Sequence, residues 1–263
     1  MQRRHILIAL TAAAGSALSF AAQAQVTDLN DAINKAGRQR MLSQRMGKAW
    51  LALVHEVEPN TARPVLDRSM ALFDRQLVEL KAFAPTPEIR DTYNKLESAW
   101  SDYKATLVGS APGKGGAGAV LAADARVLAL AHQGTVQYEA ASGKPVGKLV
   151  NIAGRQRMLS QRMAKFYLAA TLPVDAATAN AEIAKARGEF LAAMDVLRNA
   201  PEATVRIREE LQLADGQWVF FDSALKKMQP GTTGKPLSDV FVSSENLLAV
   251  MDRVTGLYSA VKG

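Results

Sequence analysis

Thirteen residues of this chain occur twice. Asn34–Met46 reads Asn-Lys-Ala-Gly-Arg-Gln-Arg-Met-Leu-Ser-Gln-Arg-Met, and Asn151–Met163 repeats it with Ile152 for Lys35 as the single change. The stretch is rich in Arg, Gln, Met and Leu and lacks Pro, so each copy favours helix. Two helices this alike call for two like surroundings, and the chain is expected to be a duplication.

The breakers repeat with the motif. Pro59 answers Pro173, Pro85 answers Pro201, and the glycine-rich run before Ala119 answers the one before Leu237. Pro87, the run from Gly109 to Gly118, Gly143 with Pro145, and the run from Pro230 to Pro236 complete the punctuation. Seven breaks leave eight segments, each about 20 to 30 residues long with apolar residues recurring at three and four, which predicts eight helices. Thr86-Pro87-Glu88 has the cap, first-turn proline and early acid of a helix start. Trp100, Tyr103 and Tyr138 of the first half are echoed by Trp218, Phe221 and Tyr258. Short loops favour antiparallel neighbours. The expected fold class is all-α, two tandem up-down four-helix bundles related by a pseudo-two-fold axis. Bundle 1 is placed at residues 25–141, the joint at Ser142 to Pro145, and bundle 2 at residues 146–263.

Residues 1–24 stand outside that scheme. Arg3 and Arg4 precede an apolar run from Ile6 to Ala22 and an Ala-Gln-Ala ending at Ala24, the pattern of a secretory signal peptide cut before Gln25. The run is short of the roughly 20 residues of a membrane span, and an uncleaved anchor and a twin-arginine export route both stay open. No later stretch is apolar enough to span, so an exported, periplasmic protein is expected. The chain has no cysteine, which removes disulfides, thiolate catalysis and thiolate-bound metals together. Its 32 lysines and arginines outnumber its 25 acids; with export in view this reads as a mildly basic surface, and no nucleic-acid partner is expected. Past the leader only His55 and His132 remain. Neither belongs to a metal-ligand cluster, no nucleophile elbow or zinc helix is present, and Gly109 to Lys114 is a linker that falls one residue short of a phosphate loop. No enzyme, cofactor or metal is expected.

Winding the motif at 100° per residue from Gly37 gathers Leu42, Met46, Ala49 and Leu53 between about 120° and 180°, a stripe for the bundle's own core. Ile33, Gly37, Arg40, Gln44 and Gly47 fall between about 280° and 360°. The second copy does the same, with Leu159, Met163, Phe166 and Ala170 on one side and Gly154, Arg157, Gln161 and Ala164 on the other. Small residues thus flank a cation twice. Glycines facing only water would each cost about 1 kcal/mol against alanine; facing another helix they let two backbones approach. The two motif helices are therefore expected to pack on this face, bringing Arg40 opposite Arg157. Guanidinium groups at about 6 Å repel by about 3 kcal/mol at an effective dielectric near 20, and a small anion between them reverses the sign. Gln44 and Gln161, one turn on, are candidates to complete the shell. Arg38, Arg45, Lys48 and their counterparts Arg155, Arg162 and Lys165 are assigned to the flank, solvated or salt-bridged. Met41, Met46, Met158 and Met163 are assigned to the core.

Ile33 to Arg45, written Ile-Asn-x-Ala-Gly-x-x-Arg-Met-x-Ser-x-Arg, resembles the signature of the PilJ-type N-terminal domain of type IV pili chemoreceptors and of the periplasmic NarX/NarQ nitrate-nitrite sensor domains. The second copy matches from Asn151 to Arg162. The resemblance implies a four-helix bundle with the motif on its first helix, and one nitrate held between two facing first helices. It further implies an arginine before methionine on the anion, here Arg40 and Arg157, and backbone contacts at Gly37 and Gly154. Members usually carry one such domain joined to a kinase or chemoreceptor body. This chain carries two, so the fusion would replace a homodimer with an internal one, and a membrane-bound sensor or chemoreceptor is the expected partner. Arg38-Gln39 replaces the small and apolar residues of the nitrate kinases, which leaves the anion's identity open between nitrate, nitrite and other oxyanions. The alternative is a helical envelope adaptor that binds a protein and no ligand.

Overall fold

The computed structural model describes residues 25–172, 176–227 and 232–261. Among them every regular element is helical. Eight α-helices follow in chain order: α1 Leu29–Val54, α2 Pro59–Phe83, α3 Pro87–Val108, α4 Ala117–Ser142, α5 Pro145–Ala169, α6 Ala176–Asn199, α7 Val205–Leu225 and α8 Lys235–Ser259. A single 3-10 turn, Lys114–Gly116, precedes α4.

The breakers sit where their chemistry puts them. Pro59, Pro87 and Pro145 open α2, α3 and α5, where a missing N–H costs nothing. Thr86 accepts from the Ile89 N–H at 3.3 Å, as expected, and Thr204 from the Ile207 N–H at 3.2 Å, each satisfying one orphan donor of a first turn. Gly143, at φ 60°, ends α4 in the left-handed region. The expected breaks at Pro173 and Pro230 lie outside the described residues.

In the first half α1 packs on α2 and α4, and α3 closes the ring against α4 and α2; in the second, α5 packs on α6 and α8, and α7 closes it. These are the two up-down four-helix bundles. Their interiors repeat in detail. Tyr138 donates to the Leu80 carbonyl at 2.7 Å and Tyr258 to the Leu197 carbonyl at 2.8 Å. Trp100 lies 4.3 Å from Phe73 and Trp218 4.5 Å from Phe190, centroid to centroid.

The halves meet mainly along α1 and α5, with α1 also touching α8 and α5 touching α4. The exchange of roles is that of a pseudo-two-fold axis. Because α1 meets α2, α4, α5 and α8, almost every residue from Ala32 to Ala52 is buried; Arg38 and Arg45, two turns apart, are the breaks in that run. Of the expected core stripes, Leu42, Met46 and Ala49 are fully buried and Leu53 half-buried, and in the second copy Leu159 and Met163 are buried while Phe166 and Ala170 are half-buried. The motif methionines are buried to within 4%.

Candidate functional site

The α1–α5 crossing is set by glycine. A β-carbon on Gly37 would stand 3.9 Å from the Cα of Gly154, 3.2 Å from Nη2 of Arg40 and 3.6 Å from Nη2 of Arg157. One on Gly154 would stand 3.2 Å from Nη2 of Arg157 and 3.7 Å from Nη2 of Arg40. Both guanidinium groups therefore share the space over the glycine pair. Arg40 is 1% exposed and Arg157 is fully buried.

Each arginine reaches across to the start of the other motif. Nη2 of Arg40 donates to the carbonyl of Asn151 at 3.3 Å and to its Oδ1 at 2.7 Å. Nη2 of Arg157 donates to the carbonyl of Asn34 at 2.9 Å. The Nε atoms of both are buried with no partner among the described residues. Asn151 in turn donates to Glu139, so the carboxylate nearest to Arg40 in this chain of bonds is one residue removed.

Here the halves diverge. Arg157 donates through Nη1 to Asp252, which also accepts from Arg38 at 2.9 Å. Nη1 of Arg40 meets Nδ1 of His132 at 3.3 Å; a guanidinium only donates, so Nδ1 accepts and the ring carries its proton on Nε2. Arg40 forms no direct carboxylate pair among the described residues. Burial, then Arg155 and Arg157, push its pKa down to about 9; burial, opposed by Asp252, brings Arg157 to about 10. Arginine keeps its proton in proteins all the same, so the cost remains as a buried cation seeking an anion.

Gln44 and Gln161 are fully buried one turn on, but their amide nitrogens are engaged. Gln44 donates to Asp124 at 2.6 Å and Gln161 to the Ser244 carbonyl at 2.9 Å. Arg38, Arg45, Arg155 and Arg162 are salt-bridged to Asp252, Glu245, Glu189 and Glu182, the role assigned to them.

Lys48 and Lys165 are salt-bridged as well, but deep inside: neither is more than 1% exposed. Lys48 crosses from α1 to Ser244 at 2.9 Å and Glu245 at 2.6 Å on α8; Lys165 crosses from α5 to Asp124 on α4. Gly47 makes room for the crossing, since a β-carbon there would stand 3.0 Å from Cδ of Lys165. The physical reason is on the wheel: Lys48 lies at about 20°, beside the Gly37–Gln44 face. The acids that meet these lysines, Asp124 and Glu245, were not singled out from the sequence. A carboxylate inside the alanine-rich Ala122-Ala123-Asp124-Ala125 run was the available signal, because such an acid is buried only when paired.

Two four-helix bundles joined through their first helices over shared buried cations form a duplicated helical domain of sensor-like build. The chain belongs to the family of the type IV pili methyl-accepting chemotaxis transducer N-terminal domain, PilJ, whose model matches residues 22–133 and again 138–233. Neither the curated proteins nor the solved structures gave a match. Among the described residues no helix is long and apolar enough to cross a membrane.

Proposed function

We propose that this chain is a periplasmic, non-enzymatic sensor-type protein that binds a small oxyanion, nitrate or nitrite, between α1 and α5. The observation that carries the reading is the meeting of two buried guanidinium groups over the Gly37–Gly154 crossing. Such a site is unfavourable empty and favourable with an anion, which takes charge-assisted hydrogen bonds from both forks. The unpaired Nε atoms are the donors in reserve. Asp252 is shared between Arg157 and Arg38 while Arg40 lacks a direct carboxylate partner, so a net positive charge is left for an anion. Gly37 and Gly154 admit the anion by having no side chain. Gln44 and Gln161 join the shell only by giving up their bonds to Asp124 and Ser244.

The leader pattern of residues 1–24 supports export, and family membership supports signalling. Occupancy changes how α1 is set against α5, and a membrane-bound sensor or chemoreceptor reads the change. The test is thermal denaturation with nitrate, nitrite, sulfate and phosphate. A ligand at 100 times its dissociation constant adds about 2.7 kcal/mol, so nitrate or nitrite raises the melting temperature selectively; equal, small effects from all four salts would refute the reading.

One observation favours the adaptor alternative. The outer face of α7 carries Leu213, Val219 and Phe220, 55 to 68% exposed, where α3, aligned on Trp100 and Trp218, carries Lys95, Ser101 and Asp102. Apolar residues on that face fit a protein partner. Loss of partner capture in Phe220→Asp, with nitrate binding absent from the wild type, would select the adaptor.

A further inference from the structure

The pseudo-two-fold axis gives the protein two related side clefts, and they differ in charge. One, of about 250 Å³, is lined by Arg38 and Arg45 of α1 and by Glu245, Leu248 and Asp252 of α8. The other, of about 270 Å³, lies between α4, α5 and α6 and is lined by Arg155 and Arg162 of α5, with Ala125, Leu128 and His132 on α4. α4 and α8 align on Thr135 and Thr255, each bonded to the carbonyl four residues back, and on Tyr138 and Tyr258. On that alignment Ala125 holds the place of Glu245, and His132 the place of Asp252.

In the first cleft both carboxylates are turned on the cations: Glu245 accepts from Arg45 and Lys48, Asp252 from Arg38 and Arg157. That cleft is closed to an anion by its own acids. In the second, α4 offers an alanine and an uncharged ring instead. Glu182 and Glu189 of α6 each engage one arginine, Arg162 and Arg155. Two further cations line the cleft: Lys185 at its exposed edge, and Arg40, 1% exposed with an unpartnered Nε. Neither forms an ion pair among the described residues.

The walls between these charges are apolar. Leu128, Met158, Leu159 and Ala186 line the same cleft, whose volume is well beyond the roughly 10–15 Å³ that a single water needs. A bare oxyanion leaves such a wall uncovered. Small-molecule sites have this composition, an apolar surface with a few placed charges. We propose that the α4–α5–α6 cleft is a second ligand site, taking a small organic carboxylate whose head meets Arg40 and Lys185 and whose apolar body lies on Leu128, Met158 and Leu159. It shares Arg40 with the oxyanion site and differs from it in place, in wall and in ligand class.

The test is calorimetric titration of the full exported chain with acetate, butyrate and benzoate, on wild type and on Ala125→Glu. Ala125 is exposed, so the substitution leaves packing alone and copies the neutralising carboxylate of the sister cleft. Wild type should bind benzoate and butyrate more tightly than acetate, and Ala125→Glu should weaken benzoate at least tenfold. Ala129→Trp, which fills the exposed rim of the cleft, should weaken it as well. No binding of any of the three acids by wild type, or benzoate affinity unchanged in both variants, would overturn the proposal. A nitrate titration run alongside separates the sites: Ala125→Glu should leave nitrate affinity within about threefold, and an equal loss of nitrate and benzoate would merge them and remove the second site.

Discussion

Asp252 on α8 and His132 on α4 hold the same place in the two halves, yet one is a carboxylate that accepts from Arg157 and the other a neutral ring that accepts from Arg40. The duplication has kept the two arginines alike and made their company unlike. Most of what can be tested here follows from that difference.

Removing the two charges should not cost the same. Arg157→Met breaks hydrogen bonds to a carboxylate and should destabilise by about 1.5–3 kcal/mol, the usual range for bonds to charged groups. Arg40→Met removes a buried cation without a direct carboxylate, and replacing such a charge by an apolar side chain of similar length is often neutral or better. It should stay within about 1 kcal/mol of wild type. Urea unfolding of the two variants without added anion decides; equal losses would contradict the asymmetry.

Anion affinity should depend on pH through His132. Burial, then Arg40 and Arg155, hold its pKa below the ordinary 6.5, against the opposing pull of Glu189 and Glu139. At neutral pH the ring is therefore uncharged. Protonation adds a cation beside Arg40, repulsive in the empty site and attractive to an anion, so binding raises the ring's pKa and affinity climbs as pH falls through 6.5 and below. Titrations at pH 7.5 and 5.5 should show the climb in wild type and not in His132→Asn; parallel profiles would remove His132 from the site.

The crossing lysine on α5 is a stability element. Lys165 and Asp124 pair with side-chain exposures of 2% and 0%, and Gln44 shares the same carboxylate. Asp124→Ala leaves a buried ammonium alone and should cost about 3–5 kcal/mol, the typical loss when one partner of a buried pair is deleted. The double variant Asp124→Leu/Lys165→Met should recover much of it. Chemical denaturation checks both, and a cost below about 1 kcal/mol for the single change would place the pair in water.

The acid limb of stability should come in part from α8. Burial works against Glu245, but Lys48 and Arg45 hold its pKa down at about 2, below the ordinary 4.5; Arg157 and Arg38 likewise overcome burial to hold Asp252 at about 2, below 3.8. These are depressed acids, so their contribution is complete above pH 4.5 and is lost as pH falls toward 2. Melting temperatures measured from pH 5 to pH 2 should fall less steeply in Glu245→Gln/Asp252→Asn, which starts lower and has less to lose. An unchanged slope would mean that other carboxylates govern acid unfolding.

Helix periodicity and the repeated breakers carried the eight helices, the paired bundles and the Gly37–Gly154 crossing, because each depends on local spacing. The meeting of Arg40 with Arg157 was legible for the same reason: a face with glycine one turn away admits another helix. What a single wheel could not give is how many neighbours a helix has. α1 is enclosed on all but the line of Arg38 and Arg45, so Lys48, placed on the flank, is inside. Nor could one copy of the motif tell which acids answer it. Asp252, Glu245 and Asp124 lie on α4 and α8, where the halves have drifted, and their pairing is fixed by packing between bundles. The commitment of Gln44 and Gln161 to Asp124 and Ser244 was hidden by the same distance in sequence.

The most direct measurement is calorimetric titration of nitrate into wild type and into Arg40→Ala/Arg157→Ala, each shown by circular dichroism to be folded. Wild type should bind one nitrate per chain, and the double variant, which lacks both donors, should lose at least a hundredfold in affinity. Equal affinity in the two proteins would contradict an anion site over the Gly37–Gly154 crossing.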